Sequence, residues 1–394
     1  MAQLISSIGT YLFYIGALSY AQKVDNGGIL VTLFTLSETL PTMFLVFTGY
    51  FSDKTPEKVK PVILLTVFKG ILFLLIAVLL GVSINLNIII LICFLNFVSG
   101  IANEFAQSLL SPLPKVFLKE DELDVGLSLC SATLQLGNFF GQIIGSVLVL
   151  YISLAYISVI NSLSFFFESI LYISVFTLLT KLEFKSNLKV KKIKINIKNL
   201  VKIVTNVLKK KDISILIINF SLLNILLASI VPYLTIFLNR FPKLIPLGLK
   251  FSIFLVIVNI SISVFFIIGT HFSVKLREHI NGLTMAGFIA GFLVYFSLFL
   301  KVMNLSLIFI VLTYFIVGMI NPYIAKKILM STDNGISTVQ GVFNTFLNIG
   351  SVFGSLIINL LSTFSVKFGC YFVFLIVAIY FIIYIFIYLK GYKD

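Results

Sequence analysis

Long apolar runs alternate with short polar breaks along the whole chain. Each run is close to the length of about 20 residues that an α-helix needs to cross a bilayer. The pattern therefore predicts an all-α membrane protein with twelve transmembrane helices. These spans, numbered 1 to 12 in chain order, cover residues 4–21, 29–51, 61–81, 86–112, 125–150, 153–180, 213–239, 247–270, 281–300, 304–325, 338–362 and 367–389.

The composition excludes most soluble classes of protein. Of the 394 residues, 59% are hydrophobic and only 11% are charged, whereas soluble domains carry about 25% charged residues. A cytosolic enzyme, a disulfide-stabilised secreted domain or a disordered chain does not have this balance. The first run is too polar for a secretory signal, so we expect it to remain as span 1. Cys93, Cys130 and Cys370 lie in apolar runs without pair spacing and are expected to be small core residues.

The distribution of Lys and Arg predicts the orientation in the membrane. Alternate connections, counted from the one after span 2 and including the C-terminal tail, carry 22 of the 29 basic residues. The connections on the other side carry six. Cytoplasmic loops are enriched in Lys and Arg, so we expect a multi-pass protein of the cell membrane with both termini in the cytoplasm. The net charge of +14 follows from this topology, and no nucleic-acid partner is expected.

A basic central connection divides the chain into two halves of six spans. We expect an N-terminal six-helix bundle over residues 1–180, a cytoplasmic linker over 181–212 and a C-terminal six-helix bundle over 213–394. Within the linker, residues 189–211 place apolar side chains at helical spacing with Lys between them. This pattern predicts an amphipathic helix on the anionic inner leaflet; the alternative is a solvated linker.

Recurring glycines indicate that the two halves are repeats. A glycine after span 2, Gly49, has a counterpart after span 8, Gly269, at an offset of 220. Two six-helix halves in parallel repeat are typical of alternating-access transporters, which bind substrate where the halves meet. The glycines that recur at an offset of 213 are Gly137 and Gly141 in span 5 and Gly350 and Gly354 in span 11.

The connection after span 2 carries a recognisable motif. Gly49, Asp53, Lys54 and Lys58 match the loop 2–3 signature of the major facilitator superfamily, although Pro and Glu stand where that signature has Gly and a basic residue. A carboxylate at this position can bond the free amides at a neighbouring helix N-terminus. The four residues are therefore predicted to form a conformational gate on the cytoplasmic side. The alternative is an ordinary polar turn.

Other stretches resemble the macrolide-efflux and enterobactin-exporter branch of that superfamily. The similar segments are residues 3–10 in span 1, Leu40-Pro41 in span 2, and Pro114 followed by the acidic residues 120–123. Span 5 also resembles the glycine-rich motif typical of exporters. In span 5 and its repeat, small residues every fourth position allow close helix packing. Generic packing of membrane helices, without an exporter motif, also explains this spacing. The glycines assigned to helix packing are Gly137, Gly141, Gly145, Gly341, Gly350 and Gly354.

Three carboxylates lie inside spans and are candidates for proton coupling. The branch usually carries a buried Arg on span 4, and this chain has no Arg in its first half. Coupling must then rest on carboxylates, and the resemblance favours Glu104 and then Glu38, because it places spans 1, 4, 7 and 10 around the cavity. The charged residues inside the spans could instead have structural roles. Glu104 could form an ion pair with Lys69, Lys69 could reach the membrane surface with its ammonium, and Glu168 could donate an interhelical hydrogen bond.

Neutral polar residues complete the predicted substrate cavity. Amides, aromatic rings and proline-freed carbonyls suit a large amphipathic ligand. The cavity candidates beside the carboxylates are Asn138 and Gln142 in span 5, Asn224 in span 7 and Tyr323 in span 10. Further residues of spans 7 and 10 with the same chemistry are Asn219, Pro232, Tyr233, Asn321 and Pro322.

The resemblance and the residues together favour a secondary active transporter that exports a drug-like or macrolide-like compound by proton antiport. We expect a monomer, no cofactor, no metal and no enzymatic activity, because no motif for metal, redox or nucleotide chemistry is present. Alternatives are a lipid or glycolipid flippase and a siderophore or peptide exporter. A membrane-embedded enzyme is a third reading, for which the acidic cluster at residues 120–124 is the only candidate site, and a helix N-terminal cluster explains it equally.

Overall fold

The computed structural model describes residues 2–21, 27–82, 86–119, 122–149, 151–176, 205, 211–249, 251–273, 280–330 and 336–389. Within these residues every regular element is helical. The α-helices are α1 (Ala2–Ala21), α2 (Gly27–Thr39), α3 (Leu45–Lys54), α4 (Val59–Leu80), α5 (Leu86–Leu110), α6 (Leu113–Phe117), α7 (Leu123–Leu148), α8 (Leu154–Ser174), α9 (Lys211–Arg240), α10 (Phe251–Phe272), α11 (Ile280–Phe299), α12 (Met303–Met330), α13 (Ile336–Phe364) and α14 (Val366–Leu389).

Each of the twelve predicted spans coincides with helix in the structure, and span 2 is divided. A 3-10 turn at Leu40–Phe44 separates α2 from α3. Pro41 lies in this turn, and a proline removes an amide donor and clashes with the preceding helical turn. The prediction of one continuous helix over 29–51 was therefore wrong at this point. Gly100 of α5 lies against the Pro41 ring, and a side chain at Gly100 would overlap it.

Membrane-spanning character is clear for most of these helices. Eight helical segments in the part of the chain that the structure describes are long and apolar enough to cross a bilayer: Val59–Leu80, Leu86–Lys115, Leu154–Ser174, Ile218–Arg240, Phe254–Phe272, Gly282–Phe299, Met303–Lys327 and Ile336–Ser362. The chain is thus a multi-pass membrane protein. The linker helix predicted over 189–211 lies outside the described residues except at Thr205 and Lys211.

The chain divides into two compact units. Unit 1 comprises residues 1–207 and 324–345, and unit 2 comprises residues 208–323 and 346–394. The end of α12 and the first turns of α13 therefore belong to the same unit as α1–α8. The domain boundaries predicted from the sequence differ in this segment and remain a prediction.

The core of unit 1 is an apolar cluster formed mainly by α1, α4, α5 and α8. Phe13 of α1, Phe73 of α4 and Phe165 of α8 meet at its centre, with ring centroids 4.9 Å and 5.5 Å apart. Glycines of α7 permit its close approach to α1. Side chains at Gly137, Gly141 and Gly145 would meet residues 4–15 of α1, including its backbone.

Unit 2 uses the same device on a different pair of helices. Side chains at Gly350 and Gly354 of α13 would meet Ser221 and Ile225 of α9, so the repeated glycines face equivalent neighbours in the two halves of the sequence. Aromatic residues of α11 and α14 fill the remaining core, with Phe288 stacked on Tyr380 at 3.8 Å.

The three cysteines do not share one environment. Cys93 and Cys370 are buried, as expected, whereas Cys130 is exposed on α7. The prediction of a core position for Cys130 was wrong, because an apolar run in a membrane helix does not tell which face points to lipid or water rather than to protein.

Candidate functional site

A buried polar layer runs through unit 1 from α2 to α5. Glu38 lies at the end of α2, just before the proline turn, and is half-buried. The side-chain amide of Asn96 on α5 donates to Glu38 Oε2 at 3.2 Å and to Ser37 Oγ at 3.0 Å. A hydrogen bond from a neutral amide stabilises an apolar-embedded carboxyl group without neutralising it. Asn96 therefore gives one carboxyl oxygen of Glu38 a neutral partner.

Glu104 lies on α5 about 12 Å along the helix from Asn96, since eight residues rise 1.5 Å each. The side chain is half-buried. The charged groups that act on its carboxyl group are Glu38 and Lys69. The structure thus places the two predicted coupling carboxylates within electrostatic reach of each other in unit 1.

Lys69 of α4 is the cation of this layer. Only 2% of the residue is exposed. Its ammonium donates to Asn103 Oδ1 at 2.8 Å, lies 3.8 Å from Glu168 Oε2 and sits 4.0 Å from the centre of the Phe165 ring. These partners come from α5 and α8, which pack on α4.

Two structural readings of the sequence are corrected by this geometry. Lys69 does not extend to the membrane surface, because Asn103, Glu168 and Phe165 hold its ammonium inside the bundle. The carboxylate that pairs with it is Glu168 rather than Glu104. Sequence spacing could not reveal the pair, because α4 and α8 are about 100 residues apart along the chain.

The neutral cavity candidates lie in both units. In unit 1, Asn138 donates to Gln135 at 3.3 Å within α7, and the buried Gln142 Oε1 has no hydrogen-bond partner among the described residues. In unit 2, Asn224 of α9 donates to the Leu347 carbonyl at 3.4 Å, and Tyr323 follows Pro322 within α12 and is half-buried.

Two other neutral candidates occupy places that the sequence did not indicate. Tyr233 is completely buried in unit 2, where its hydroxyl contacts Cys370 Sγ at 2.8 Å and the Val366 carbonyl at 3.0 Å. It is therefore a residue of the unit 2 core. Asn321, next to Pro322, is exposed.

Asp53, the acidic residue of the predicted gate, caps the first described turn of α13. Asp53 Oδ1 accepts from the Ser337 amide at 3.1 Å, and Oδ2 accepts from the Thr338 amide at 2.7 Å and its hydroxyl at 2.6 Å. A carboxylate that bonds free amides at a helix N-terminus is stabilised by hydrogen bonding and by the helix dipole. The contact joins the end of α3 to the start of α13 within unit 1.

Glycines bring α3 and α13 together beside this cap. A Cβ atom at Gly49 would overlap the carbonyl oxygen of Ser337, and one at Gly341 would overlap that of Leu45. The two lysines of the motif donate to other groups. Lys54 donates to the Tyr50 hydroxyl at 2.7 Å, and Lys58 donates to the Ser52 carbonyl at the end of α3.

Further contacts in this region were not predicted. Asp124 at the start of α7 pairs with Lys326 near the end of α12 at 3.0 Å. A small apolar cluster of Leu123, Leu329 and Ile336 lies beside the pair. Glu122 accepts from the Lys119 amide at 3.0 Å, as expected of a helix N-terminal cluster, whereas Glu120 and Asp121 lie outside the described residues. The only sequence signal was the position of Asp124 and Lys326 at the ends of spans.

The serine hydroxyls around Asp53 form a second unpredicted set. Ser337 donates to the Ser108 carbonyl at 2.8 Å, and so does Ser52. Ser111 contacts the Ser337 hydroxyl at 3.1 Å. The start of α13 is therefore held by α3 and by the end of α5, with a carboxylate, hydroxyls and apolar side chains as the contacting groups.

Comparison with known proteins identifies the fold. One similar structure is a bacterial homologue of the iron transporter ferroportin in its outward-facing state. The superposition covers 96% of this chain and 94% of the homologue, with a TM-score of 0.69 and 13% identity. A second is a POT family transporter in complex with a thioalcohol-conjugated peptide. The superposition covers 100% of this chain and 95% of that transporter, with a TM-score of 0.70 and 11% identity.

The human organic anion transporter MFSD10 (TETRAN) is a third structural relative, with a TM-score of 0.66, 12% identity and coverage of 95% of this chain and 97% of that one. At these identities the likeness concerns the fold. No curated protein sequence matches the chain. The family profile of the Major Facilitator Superfamily matches residues 1–355. By its sequence, its all-helical fold and its structural relatives, this chain belongs to the major facilitator superfamily of membrane transporters.

Proposed function

We propose that this transporter exports a hydrophobic or amphipathic compound, of the drug or macrolide type, in exchange for protons. The observation that supports the proposal is the pair of membrane-embedded carboxyl groups, Glu38 and Glu104, beside the buried Lys69 in unit 1. Ionisable groups inside a membrane are costly and mark ion or substrate pathways. Within the twelve spans, carboxylates occur in spans 1 to 6 alone, which makes unit 1 the proposed site of coupling.

The proposed exchange follows from the charge of these groups. Glu104 or Glu38 takes a proton from the external side and becomes neutral. A cationic amphipathic substrate that arrives from the cytoplasm replaces the positive charge of that proton, which leaves the carboxyl group. Proton and substrate therefore compete for one negative charge, and each turnover moves them in opposite directions.

The energy available is sufficient for export. At a membrane potential of about 100 mV and a difference of about one pH unit, one proton supplies about 3.7 kcal/mol. This free energy sustains a substrate gradient of about 500-fold, since a factor of ten corresponds to about 1.4 kcal/mol.

We also propose that the Asp53 contact is a cytoplasmic latch, with both termini in the cytoplasm. Asp53, Gly49 and the start of α13 form one face of it, and the Asp124–Lys326 ion pair reinforces it. The latch closes the cytoplasmic side, and its hydrogen bonds break when that side opens to take up substrate. Charged groups suit this role, because water can replace each hydrogen bond as it breaks.

The cargo class rests on this chain's own residues. Its structural relatives are named for cargoes as different as iron and organic anions, so the fold does not specify one. The carboxylates favour a cation, and the half-buried Tyr323 and Asn224 suit a large amphipathic molecule.

The test is transport in inverted vesicles that contain the full-length protein. With an acidic lumen, ethidium and erythromycin are expected to accumulate, and an uncoupler is expected to abolish the accumulation. Glu104→Gln and Glu38→Gln should lose it, because the amide cannot exchange a proton. Glu57→Gln is the matched control, since Glu57 is exposed and pairs with the exposed Lys60.

Transport that survives both buried substitutions would contradict proton coupling at these residues. If neither probe responds to the gradient but a fluorescent phospholipid changes leaflet, the protein is a flippase and the export proposal fails.

A further inference from the structure

The proposed exchange assigns no role to Lys69, the one cation among the membrane-embedded carboxylates of spans 1 to 6. Spans 1 to 6 contain three carboxylates, Glu38, Glu104 and Glu168, and a single basic residue, Lys69. An uncompensated charge inside a membrane protein is strongly unfavourable. The four groups together are neutral when one carboxylate is ionised and the other two hold protons. The question is then which carboxylate Lys69 neutralises.

The structure holds Lys69 near Glu168 without binding it tightly. The distance from its ammonium to Glu168 Oε2 is 3.8 Å, whereas a charge-assisted hydrogen bond spans about 2.7–2.9 Å. Glu168 Oε2 is buried and has no hydrogen-bond partner among the described residues. An ammonium has three donors, and the nearest acceptor, Asn103 Oδ1 at 2.8 Å, lies on the other side, on α5.

That acceptor adjoins the coupling carboxylate. Asn103 directly precedes Glu104 on α5, and the carboxylates that act on the Lys69 ammonium are Glu168 of α8, Glu104 of α5 and Glu38 of α2. Lys69 has a long, flexible side chain and is held between two helices that each carry a carboxylate. Rotation of its side-chain torsions would move the ammonium from one carboxylate towards the other.

A polar route continues from Glu168 towards the cytoplasmic ends of the helices. Ser6 of α1 and Tyr172 of α8 border the Glu168 carboxyl group, and Gln3 at the start of α1 donates to Gln107 near the end of α5 at 3.0 Å. Glu168 itself lies about 9 Å from the end of α8 at Ser174, at 1.5 Å per residue. A proton on Glu168 therefore has polar partners in the direction of release.

We infer that Lys69 is a counter-ion shared between Glu168 and Glu104, and that Glu168 accepts the proton that Glu104 gives up. The inference deepens the proposed function and rests on it for its role in transport. In the step, the Lys69 ammonium first gives one proton to the Glu168 carboxylate and becomes a neutral amine. The lone pair of that amine then takes the proton of Glu104 as the Glu104 O–H bond breaks. Lys69 ends as an ammonium beside ionised Glu104, and the four groups remain neutral throughout.

Infrared absorption of protonated carboxyl groups tests the shared charge without a substrate. The full-length protein is purified, reconstituted in lipid and measured at neutral pH in H2O and D2O. The charge count predicts two buried protonated carboxyl groups. Glu168→Gln should lower their absorption to about half, because Lys69 then holds Glu104 in the ionised form. A fixed Lys69–Glu168 pair predicts no change on this substitution, and that result would overturn the inference.

A second variant keeps the test decisive if Glu168→Gln does not fold. Glu168→Met removes the same carboxylate with an apolar side chain of similar length, so Lys69 should again hold Glu104 in the ionised form and the absorption should fall to about half. An unchanged absorption would overturn the inference. Glu57→Gln is the control for both variants, because its exposed carboxylate is ionised at neutral pH and its loss should leave the band unaltered.

Transport separates failure of the inference from failure of the proposed function. In the inverted vesicles, Glu168→Gln should abolish gradient-driven ethidium uptake but retain gradient-independent ethidium exchange. If wild-type protein shows no gradient-driven uptake, the proposed function fails while the infrared result still decides the shared counter-ion. If wild type and Glu168→Gln are driven equally well, the proton step through Glu168 is wrong and the proposed function stands.

Discussion

The two units of this transporter share their helix-packing devices but differ in the polar groups that they bury. Unit 1 holds Lys69 and Glu168 in its interior, each less than 5% exposed, and half-buries Glu38 and Glu104. Spans 7 to 12 contain no Asp or Glu at all. The ionisable carboxyl groups inside the membrane are thus confined to one half of the sequence.

Unit 2 uses hydroxyl groups in place of charges. The Tyr295 hydroxyl donates to the Leu226 carbonyl at 2.8 Å and contacts Ser229 at 2.8 Å, and the Tyr314 hydroxyl donates to the Leu227 carbonyl at 3.1 Å. These bonds tie α9 to α11 and α12. A hydroxyl network satisfies buried polar groups without placing a charge in the membrane.

Unit 1 therefore buries ionisable groups, as the proposed proton exchange requires, whereas unit 2 holds its helices together with neutral hydrogen bonds. A buried ion pair contributes little to stability and leaves a large penalty when one partner is lost. Neutral hydrogen bonds each contribute about 1 kcal/mol and carry no such risk. Substitutions in the two units should therefore differ in size and in their dependence on pH.

The largest effect is expected for Lys69→Met, which leaves the buried Glu168 without its counter-ion. The cost at neutral pH should be about 3–5 kcal/mol, measured as a fall in the midpoint of thermal unfolding in detergent. Lowering the pH should restore part of the loss, because Glu168 must take up a proton in the folded variant and this costs less at lower pH. The double variant Lys69→Met/Glu168→Gln should be clearly more stable than the single one; equal stability would show that the pair is not coupled.

The next largest effect is expected where glycines bring helices into backbone contact in both units. Gly49→Ala in unit 1 and Gly269→Ala in unit 2 should each cost about 1–3 kcal/mol, because the added Cβ would overlap a carbonyl oxygen, that of Ser337 or of Phe315. Thermal unfolding again measures the change. Gly282→Ala is the control, since nothing lies within 4 Å of that position, and it should be neutral or slightly stabilising.

Asp53→Ala should destabilise the closed state of the proposed latch by about 1–2 kcal/mol, the usual contribution of a helix-capping side chain. The measurement is the rate at which an impermeant maleimide labels a cysteine introduced at Ser111, in inverted vesicles and after replacement of the three native cysteines. The rate should rise about tenfold, since 1.4 kcal/mol corresponds to a factor of ten. Lys54→Ala should leave it unchanged, and equal labelling of all three proteins would argue against a latch.

The smallest effect is expected for Tyr295→Phe in unit 2. The substitution removes one hydroxyl from a neutral network and should cost about 1 kcal/mol, with the same loss at every pH between 5 and 8 and with gradient-driven uptake retained. A loss of uptake without a loss of stability would show that unit 2 takes part in coupling, and the contrast between the units would then be wrong.

Helix positions were predictable because membrane insertion is governed by local apolar length. The twelve runs coincide with helices, and the loop motif at Gly49 and Asp53 indicated a superfamily whose profile matches residues 1–355. The proline turn at Pro41 divided a span that hydrophobicity alone presents as continuous. The glycine repeat indicated close packing, and the structure supplied the partners, α1 for Gly141 and α9 for Gly354.

The positions of the charged groups followed a different logic. Composition and hydrophobic pattern depend on each residue and its neighbours in the chain, which is why they suffice for spans, class of protein and expected topology. The pairing of Lys69 with Glu168, the cap that Asp53 places on α13 and the Asp124–Lys326 contact join residues about 100, 285 and 200 positions apart. A buried charge is stable only beside an opposite charge or a free amide. The packing of helices that are distant in the sequence decides which of these groups lies nearby, so no local sequence pattern predicts the partner.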